Sequence, residues 1–375
     1  MKEFLTLCLI DINEKIIYID KIEGCLVVKS NSNNKTITFI DLFAGIGGFR
    51  YGLESLDNFK CVFSSEIDEY AKEAYYVNYG QMPAGDITKI KSADIPEHNV
   101  LCAGFPCQPF SISGKQNGFK DTRGTLFYEI LRIAKAKRPD VLFLENVKHL
   151  IYHDKRRTFK IMLDALTNDL GYKVSYKVLN ASDFGLPQNR ERVIIIAAKD
   201  KKFDFSKIKI KPRVKLMDFL DKEGDFEYLE EDEYTLIDNP KKQRSGLIFV
   251  GYRNKSIRKN GVRSGTMHLS RVHRQPNRIY SAEGIHPTIP AQETSGRFFI
   301  YVNGRVRKLT INECYKIMGF DKFKRVGPLS EQYKQIGNSI AIPMVQAIGI
   351  EIKNQLFSEE LREVDTHRNI KRRIS

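Results

Sequence analysis

A cysteine stands between two prolines in Gly104-Phe105-Pro106-Cys107-Gln108-Pro109-Phe110, after an apolar run at residues 100–103 and before a loop rich in glycine and serine. A lone cysteine is usually a small buried hydrophobe. Here Pro106 and Pro109 remove backbone donors and fix φ on both sides, so the thiol is presented on a stiff turn at a strand end, where a thiolate can act as a nucleophile. Upstream, a strand-like run at 36–42 ends in Phe43-Ala44-Gly45-Ile46-Gly47-Gly48, and a helical pattern follows. A glycine-rich turn of this kind lets backbone approach a ligand and points helix N–H groups at it. Its G-x-G-G spacing departs from the G-x-G-x-x-G of dinucleotide binders, so by itself it fits a tight structural connection equally well. The next apolar run, 61–63, leads to Ser65-Glu66-Ile67-Asp68, and an acid at the end of a second strand is placed to take two ribose hydroxyls. A third run ends at Gly85-Asp86-Ile87, where Asp86 is suited to accept from an adenine amino group. An adenosine-containing cofactor is the expectation.

These groups need a scaffold that brings strand ends together. Apolar runs at 36–42, 61–63, 100–103, 141–144, 174–179 and 193–198 have strand length and are bounded by Gly, Pro, Asn and Asp. Between them, 49–56, 69–78, 126–137 and 158–169 carry apolar residues at i, i+3 and i+4. The alternation predicts an α/β fold with a mostly parallel sheet covered on both faces. After Ala198 it stops, and the chain to about residue 300 is rich in charge and turn residues, which predicts a second domain. Helical periodicity resumes at 311–319 and 340–352 and suggests a return to the first domain, with a cleft between the two. Residues 15–30 alternate around Glu23-Gly24 like a small hairpin or added edge strand.

In their order, these segments together with Glu145-Asn146-Val147, Gln188-Asn189-Arg190-Glu191-Arg192 and Gln335-Ile336-Gly337-Asn338-Ser339 resemble the DNA cytosine-5 methyltransferases over about residues 38–350. The likeness is greatest to the short, single-specificity bacterial members of restriction-modification systems. It implies a Rossmann-like S-adenosylmethionine-dependent methyltransferase sheet with a smaller, mostly β or irregular target-recognition domain. Its expected organisation is an extension at 1–37, a catalytic domain at 38–210 completed by 325–353, a target-recognition domain and hinge at 211–324, and a basic tail at 354–375. A final antiparallel strand pair would match this variant of the fold.

The resemblance also implies roles. Cys107 would add to C6 of a cytosine flipped out of duplex DNA, because C5 is too poor a nucleophile to attack a methylsulfonium unaided. Glu145 would hydrogen-bond ring N3 and the exocyclic amine, Arg192 would hold O2, and Arg190 would brace the site. S-adenosylmethionine would be held by Phe43, Gly45, Gly47, Glu66, Ile67, Asp86, Ile87, Pro106, Leu126 and Asn338. Ile67 is a departure, since close relatives often carry a tryptophan there that packs on the adenine. Residues 111–124 have the composition of a polar lid, with Ser111, Ser113, Lys115 and Arg123 toward DNA. In the second domain, Gln275 would fill the vacated stack, Arg278 suits a guanine edge, Tyr280 belongs to the same recognition segment, and Thr288 would contact a phosphate.

Composition agrees with a polyanionic partner. The 375-residue chain carries 61 Lys and Arg against 46 Asp and Glu, a net charge of +15. The excess is concentrated: from Lys241 to Tyr280 there are many Lys and Arg and no acidic residue, interleaved with Tyr252, His268, His273 and Tyr280. Six cysteines without paired metal spacing suit a reducing cytoplasm and indicate no metal site. The apolar start is followed at once by Asp11 and Glu14, which argues against a secretory signal, and nothing is apolar enough to span a membrane. A monomeric cytoplasmic protein acting on double-stranded DNA is expected. A tRNA cytosine-5 methyltransferase would share the pocket and the Cys107 chemistry, and a catalytically silent DNA-binding regulator would share the scaffold. The size of the basic second domain weighs against the first, and intact Cys107, Glu145 and Arg192 against the second.

Overall fold

Short apolar runs of β-branched and aromatic residues, each followed by an amphipathic stretch, build the central layer of the protein. The computed structural model describes residues 36–106, 126–254 and 277–358, with the backbone of 10–12, 15–22 and 25–30. Three strands come first: β1 (Ile10–Ile12), β2 (Lys15–Ile22) and β3 (Cys25–Ser30). Then follow β4 (Ile37–Leu42), α1 (Gly48–Glu54), β5 (Phe59–Ser65), α2 (Glu69–Tyr79), β6 (Val100–Gly104), α3 (Leu126–Lys137), β7 (Val141–Val147) and α4 (Arg157–Asp164). Next are β8 (Lys173–Asn180), β9 (Gln188–Asn189), β10 (Glu191–Ala198), β11 (Tyr234–Lys242), β12 (Ile248–Arg253), β13 (Arg278–Ser281) and β14 (His286–Pro287). The described elements end with β15 (Phe299–Val302), β16 (Arg305–Lys308), α5 (Ile311–Lys316), α6 (Leu329–Asn338) and α7 (Ile342–Ile352).

The main sheet runs β5-β4-β6-β7-β10-β8. Its first four strands are mutually parallel, and β10 lies antiparallel between β7 and β8, which is the expected antiparallel ending. Alternate residues of each strand go to opposite faces. Phe39, Cys102, Phe143, Ile194 and Ile196 pack with Phe49, Leu53, Val345 and Ile348 of α1 and α7. Ile40, Leu101, Leu142, Leu144 and Ile195 pack with Phe127, Ile130, Phe159 and Met162 of α3 and α4. Burial on both faces explains why these strands read as continuous apolar runs.

A second sheet, β11-β12-β13-β15-β16, carries only small apolar clusters of its own. It is tied to the first by a larger cluster in which Phe298, Ile300, Met318 and Ile336 meet Ile46, Ala71 and Ala74. The short parallel pair β9–β14 adds a backbone link, with Gln188 opposite His286. β2 and β3 form the expected hairpin across 23–24, with β1 added as a third strand.

Two features differ from the expectation. The run ending at Gly85 is not a strand: it makes one isolated bridge, Ser65 with Ala84, and then turns because the Asp86 side chain accepts from the Thr88 N–H. Helix α6 was not foreseen, although Leu329, Tyr333 and Ile336 have helical spacing, because a mostly polar sequence surrounds them. Among the described residues no helix is long and apolar enough to cross a membrane.

The start of α5 is organised by a buried ion pair. Arg307 donates to both oxygens of Glu313 at 2.9 and 2.7 Å, and the same carboxylate accepts from the N–H groups of Thr310 and Asp221. Removing the cation strands a buried charge, so Arg307→Met should lower stability by about 3 to 5 kcal/mol in urea denaturation. The double variant with Glu313→Gln should recover part of that loss, since it removes the stranded charge while the single amide oxygen still accepts from one of the two N–H groups, which bond different carboxylate oxygens. Equal destabilisation of single and double variants would show that packing, and not the stranded charge, sets the effect.

Candidate active site

Parallel strands end on one edge of their sheet, and the turns beyond them leave a crevice there. In this protein a cavity of about 690 Å³ opens beyond the carboxyl ends of β4, β5, β6 and β7. Phe43, Gly45, Glu66, Ile67, Asp86, Ile87, Pro106, Leu126 and Asn338 line it, and so do Glu145, Arg190 and Arg192.

One wall is the glycine turn after β4. Phe43, Gly45 and Gly47 have φ of 58°, 56° and 79°, a conformation that costs an L side chain and that glycine adopts freely. The turn is pinned to β5, since Ala44 donates to the Ser65 carbonyl and Gly45 donates to Glu66 Oε2 at 2.7 Å. Glu66 Oε1 accepts from the N–H groups of Ile67 and Asp68, each at 2.8 Å. Ile67 itself is 69% exposed at the rim, an unusual state for an isoleucine beside a cavity. The Asp86 carboxyl is held below its usual range by hydrogen bonds from the Thr88 hydroxyl and N–H.

Gly47, between the cavity-lining Ile46 and Gly48, is close-packed on α2: a Cβ on it would come within 2.6 Å of the Tyr79 ring and 2.8 Å of the Tyr75 ring. Gly45, by contrast, has nothing within 4 Å of a built Cβ and faces open space.

The opposite wall is charged. Glu145 on β7 lies opposite Ile194 in the ladder, so Arg192, two residues earlier on β10, falls diagonally across on the same face. The Arg192 Nε is 2.8 Å from Glu145 Oε1, and both side chains are largely buried. Gly104, beside Glu145 on β6, leaves room for this carboxylate, whose Oε2 would be 3.5 Å from a Cβ there. The buried Asn146 amide donates to the Phe105 carbonyl at 2.8 Å while its oxygen accepts from Val147 N–H, which locks the end of β7 to the chain just before Pro106. Arg190 is fully buried and donates through Nη2 to the carbonyls of Gly337 and Ser339. Burial, reinforced by the neighbouring Arg192, pushes its pKa well below the ordinary arginine value.

Other expected residues fall elsewhere. Cys107, Ser111, Ser113, Lys115, Arg123 and Gln275 lie outside the described residues, as do 255–276 of the basic stretch. Tyr280 is only 3% exposed and packs with Leu247, Phe249 and Ile285, in the core of the second sheet. Thr288 is partly exposed, and its Oγ1 donates to the Asn189 carbonyl at 2.7 Å. Arg278 is half-buried at the start of β13, its guanidinium 5.8 Å from the Phe249 ring centre. The three described free cysteines, Cys61, Cys102 and Cys314, are buried, and burial raises their thiol pKa values, Cys61 to about 12. None of these three is a nucleophile.

Residues not anticipated also line the cavity. Ser65, Gln335 and Ser339 bring polar side-chain atoms that have no hydrogen-bond partner among the described residues. Asp68 and Lys334 meet at 2.6 Å between the turn after β5 and α6. Gln335, Lys334 and Ser339 lie in or beside the segment from which only Asn338 was chosen; their approach to Asp68, 266 residues from Lys334, is a tertiary event with no local signal.

Residues 37–354 match the family model described as C-5 cytosine-specific DNA methylase. The type II methyltransferase M.HhaI of Haemophilus parahaemolyticus is 41% identical over 332 residues, covering 85% of this chain and 95% of that protein. M.HaeII of Haemophilus aegyptius is 43% identical over 320 residues, covering 84% and 93%. Among solved structures, the S. pombe Dnmt2 methyltransferase aligns with a TM-score of 0.62 at 18% identity, over 86% of this chain and all of that one. It shares the fold.

The two turn glycines should respond differently to substitution. Gly45→Ala should cost about 1 to 2 kcal/mol, the strain of an L residue at positive φ. Gly47→Ala should cost about 1 to 3 kcal/mol more, because its methyl also overlaps two tyrosine rings. Urea denaturation of both variants checks this, and equal losses would refute a packing role for Gly47.

Proposed function

Because the chain belongs to the C-5 cytosine-specific DNA methylase family and is a DNA cytosine-5 methyltransferase of the restriction-modification type, we propose that the cavity is its catalytic centre, with S-adenosylmethionine as methyl donor and a flipped cytosine as acceptor. The observation that carries the proposal is the Glu145–Arg192 pair in the same cavity as Glu66 and the glycine turn. One wall has the chemistry for a pyrimidine, the other for a nucleoside.

The cavity fits the donor. It has the volume for a nucleoside with an amino-acid tail, an apolar rim at Ile67, and a carboxylate at Glu66 beyond the second strand. Phe43, Gly45, Ile87, Leu126, Pro106 and Asn338 complete its surroundings, with Asp86 toward the base. When bound, S-adenosylmethionine supplies an electrophilic methyl group on a positive sulfonium.

The acceptor is activated by the chain's own groups. Cys107, joined directly to the cavity-lining Pro106, attacks C6 as thiolate and breaks the C5–C6 double bond, which places electron density on C5. Glu145 donates to or shares a proton with N3 and accepts from the exocyclic amine, while Arg192 holds O2. Their mutual contact orients both for two adjacent edges of one ring. Arg190 acts through position, holding the Gly337–Ser339 segment against the site. Once the electron pair on C5 has formed the bond to the methyl group, loss of the C5 proton to solvent re-forms the C5–C6 double bond and expels the Cys107 thiolate. Flipping brings C5 and C6 into reach, with residues 111–124 as the lid, Ser111 and Ser113 beside the DNA and Lys115 and Arg123 on phosphates. In the second sheet's domain, Gln275 fills the vacated stack and Arg278 reads a base edge.

Two expected outcomes test these assignments. Wild-type enzyme should form a covalent adduct on duplex DNA carrying 5-fluorocytosine at the target, because fluorine blocks the final elimination, and Cys107→Ser should form none while keeping donor binding. An active enzyme without the adduct would remove Cys107 from its role.

Arg278 and Lys115 should fail differently. Arg278→Ala should cost about 1 to 3 kcal/mol on the cognate duplex and narrow its advantage over singly substituted sites. Lys115→Ala should weaken all duplexes alike and reduce the salt slope by about one phosphate contact. Binding over a salt series distinguishes them, and an Arg278 variant that keeps full discrimination would make Arg278 a backbone contact.

A further inference from the structure

Beyond Val147, the exposed cavity-lining residue at the end of β7, the chain crosses to α4 from the edge that carries Glu145. Between residues 148 and 160 it has five Lys and Arg against one acid, Asp154. Two of the cations are committed, Lys148 to Glu191 at 2.8 Å and Arg157 to Asp154 at 2.6 Å. Lys155, Arg156 and Lys160 are exposed and have no carboxylate partner among the described residues. Asp154, Lys155 and Arg156 have φ of 46°, 53° and 72°, three successive left-handed residues of which none is glycine. Such strain persists only where the surroundings impose it. Here the two ends impose it: Leu150 and Phe159 are buried in the cluster shared with α3 and α4, and His153 Nδ1 meets the hydroxyl of buried Thr158 at 2.7 Å. The bend buries neither Lys155 nor Arg156. It turns both outward beside the exposed Tyr152, whose ring centre is 5.7 Å from the Arg156 guanidinium.

We propose that Lys155 and Arg156 grip backbone phosphates of the duplex on the flank of the cavity away from the second sheet. The proposal rests on duplex DNA being the substrate. A nucleotide drawn into the cavity stays joined to its strand, so the strand leaves the cavity mouth on two sides, with phosphates on both. The second sheet is anchored on Ile46, Ala71 and Ile336, next to the glycine turn and α6. The 148–160 segment is anchored instead with α3, on the face of the main sheet away from α1 and α7. It offers charge and no fitted pocket, which suits contact with the backbone and not the reading of a base. A bend that already holds both side chains outward leaves less of their freedom to be lost when DNA arrives.

The experiment measures binding of the full-length protein to duplexes over a salt series, as wild type, Lys155→Ala, Arg156→Gly and Lys201→Ala. Lys201 is an exposed cation just beyond the end of β10, at the sheet edge opposite the cavity, and controls for net charge. Lys155→Ala and Arg156→Gly should each weaken binding about three- to tenfold at low salt, alike on cognate and singly substituted duplexes, and flatten the salt slope by about one phosphate contact. Lys201→Ala should stay within about twofold, since a charge more than a Debye length from the DNA is screened. Replacing the flanking phosphates one at a time by a neutral methylphosphonate should find a position that weakens wild type and leaves Arg156→Gly unchanged. The DNA-free Arg156→Gly protein should melt no lower than wild type, because glycine adopts this φ freely.

Wild-type affinity and slope in both variants, or losses no larger than that of Lys201→Ala, would overturn the assignment. So would a loss confined to the cognate duplex, which belongs to a base reader, or a loss that comes with a lower melting temperature and answers to no neutral phosphate, which belongs to a fold defect. If wild type itself binds no duplex, the DNA reading fails, an outcome distinct from wild-type binding that the variants leave unchanged.

Discussion

Everything on the donor side of this molecule depends on one carboxylate gathering backbone N–H groups. Glu66 stands just beyond β5 and accepts from Gly45, Ile67 and Asp68, so a single side chain joins the turn after β4 to the turn after β5. That tie holds a strained piece of chain, in which even Phe43 has positive φ. Strain of about 1 to 3 kcal/mol at such a residue persists only where the surroundings over-determine it. The surroundings here are close-packed: Gly47 admits two tyrosine rings, Gly48 admits Ile340 and Ser339, and Gly52 admits Val345. Asp41, on β4 just before the turn, is fully buried, and burial pushes its carboxyl well above its usual range. The turn presents backbone to a ligand because side chains elsewhere leave it nowhere else to go.

The other half of the site exists because one strand runs the wrong way. β4 to β7 are parallel, and their carboxyl ends form the edge that carries Phe43, Glu66, Pro106 and Glu145. A further parallel strand would bring only its own carboxyl end to that edge. β10 is antiparallel to β7, so its beginning arrives there instead, and Arg190 and Arg192 reach the cavity from residues far along the chain. Register does the rest. With Ile194 opposite Glu145, Arg192 falls on the same face within ion-pair distance, and a slip by one residue would turn it to the other face. Asn146, on the face opposite Glu145, uses its amide to lock the Phe105 carbonyl, so the Glu145 carboxylate and the end of the chain after β6 are positioned by consecutive residues of one strand.

The second sheet is held differently. Its own clusters are small, and its largest shared core lies against Ile46, Ala71 and Ile336, close to the donor cavity. This geometry ties the placement of β13, and of Arg278 at its start, to the glycine turn and α6. It also places Tyr280 in the core: two residues along from Arg278, it completes the cluster with Phe249 and Ile285.

Much of the scaffold was legible before any coordinates. Strands buried on both faces have to be continuous apolar runs, and helices covering them have to carry an apolar stripe, so β4, β6, β7, β10 and the helices α1 to α4 announced themselves, while the partly exposed edge strands β5 and β8 carry shorter or alternating apolar runs. So did Glu66 and Glu145, because an acid directly after an apolar strand has few structural uses. What remained illegible depends on distance in sequence. A glycine facing open space and a glycine against a tyrosine ring look alike until the tyrosine has a position, and only the fold shows that Gly45 is the first and Gly47 the second. Tyr280 reads as a surface aromatic among basic residues, and only its neighbours in space make it core. Helix α6 is polar because one side meets a ligand cavity and another meets solvent, so its periodicity is faint. The unpaired amide of Gln335 is the plainest case. Residue type gives it donors and acceptors, but whether they find partners is decided by the packing of the whole chain.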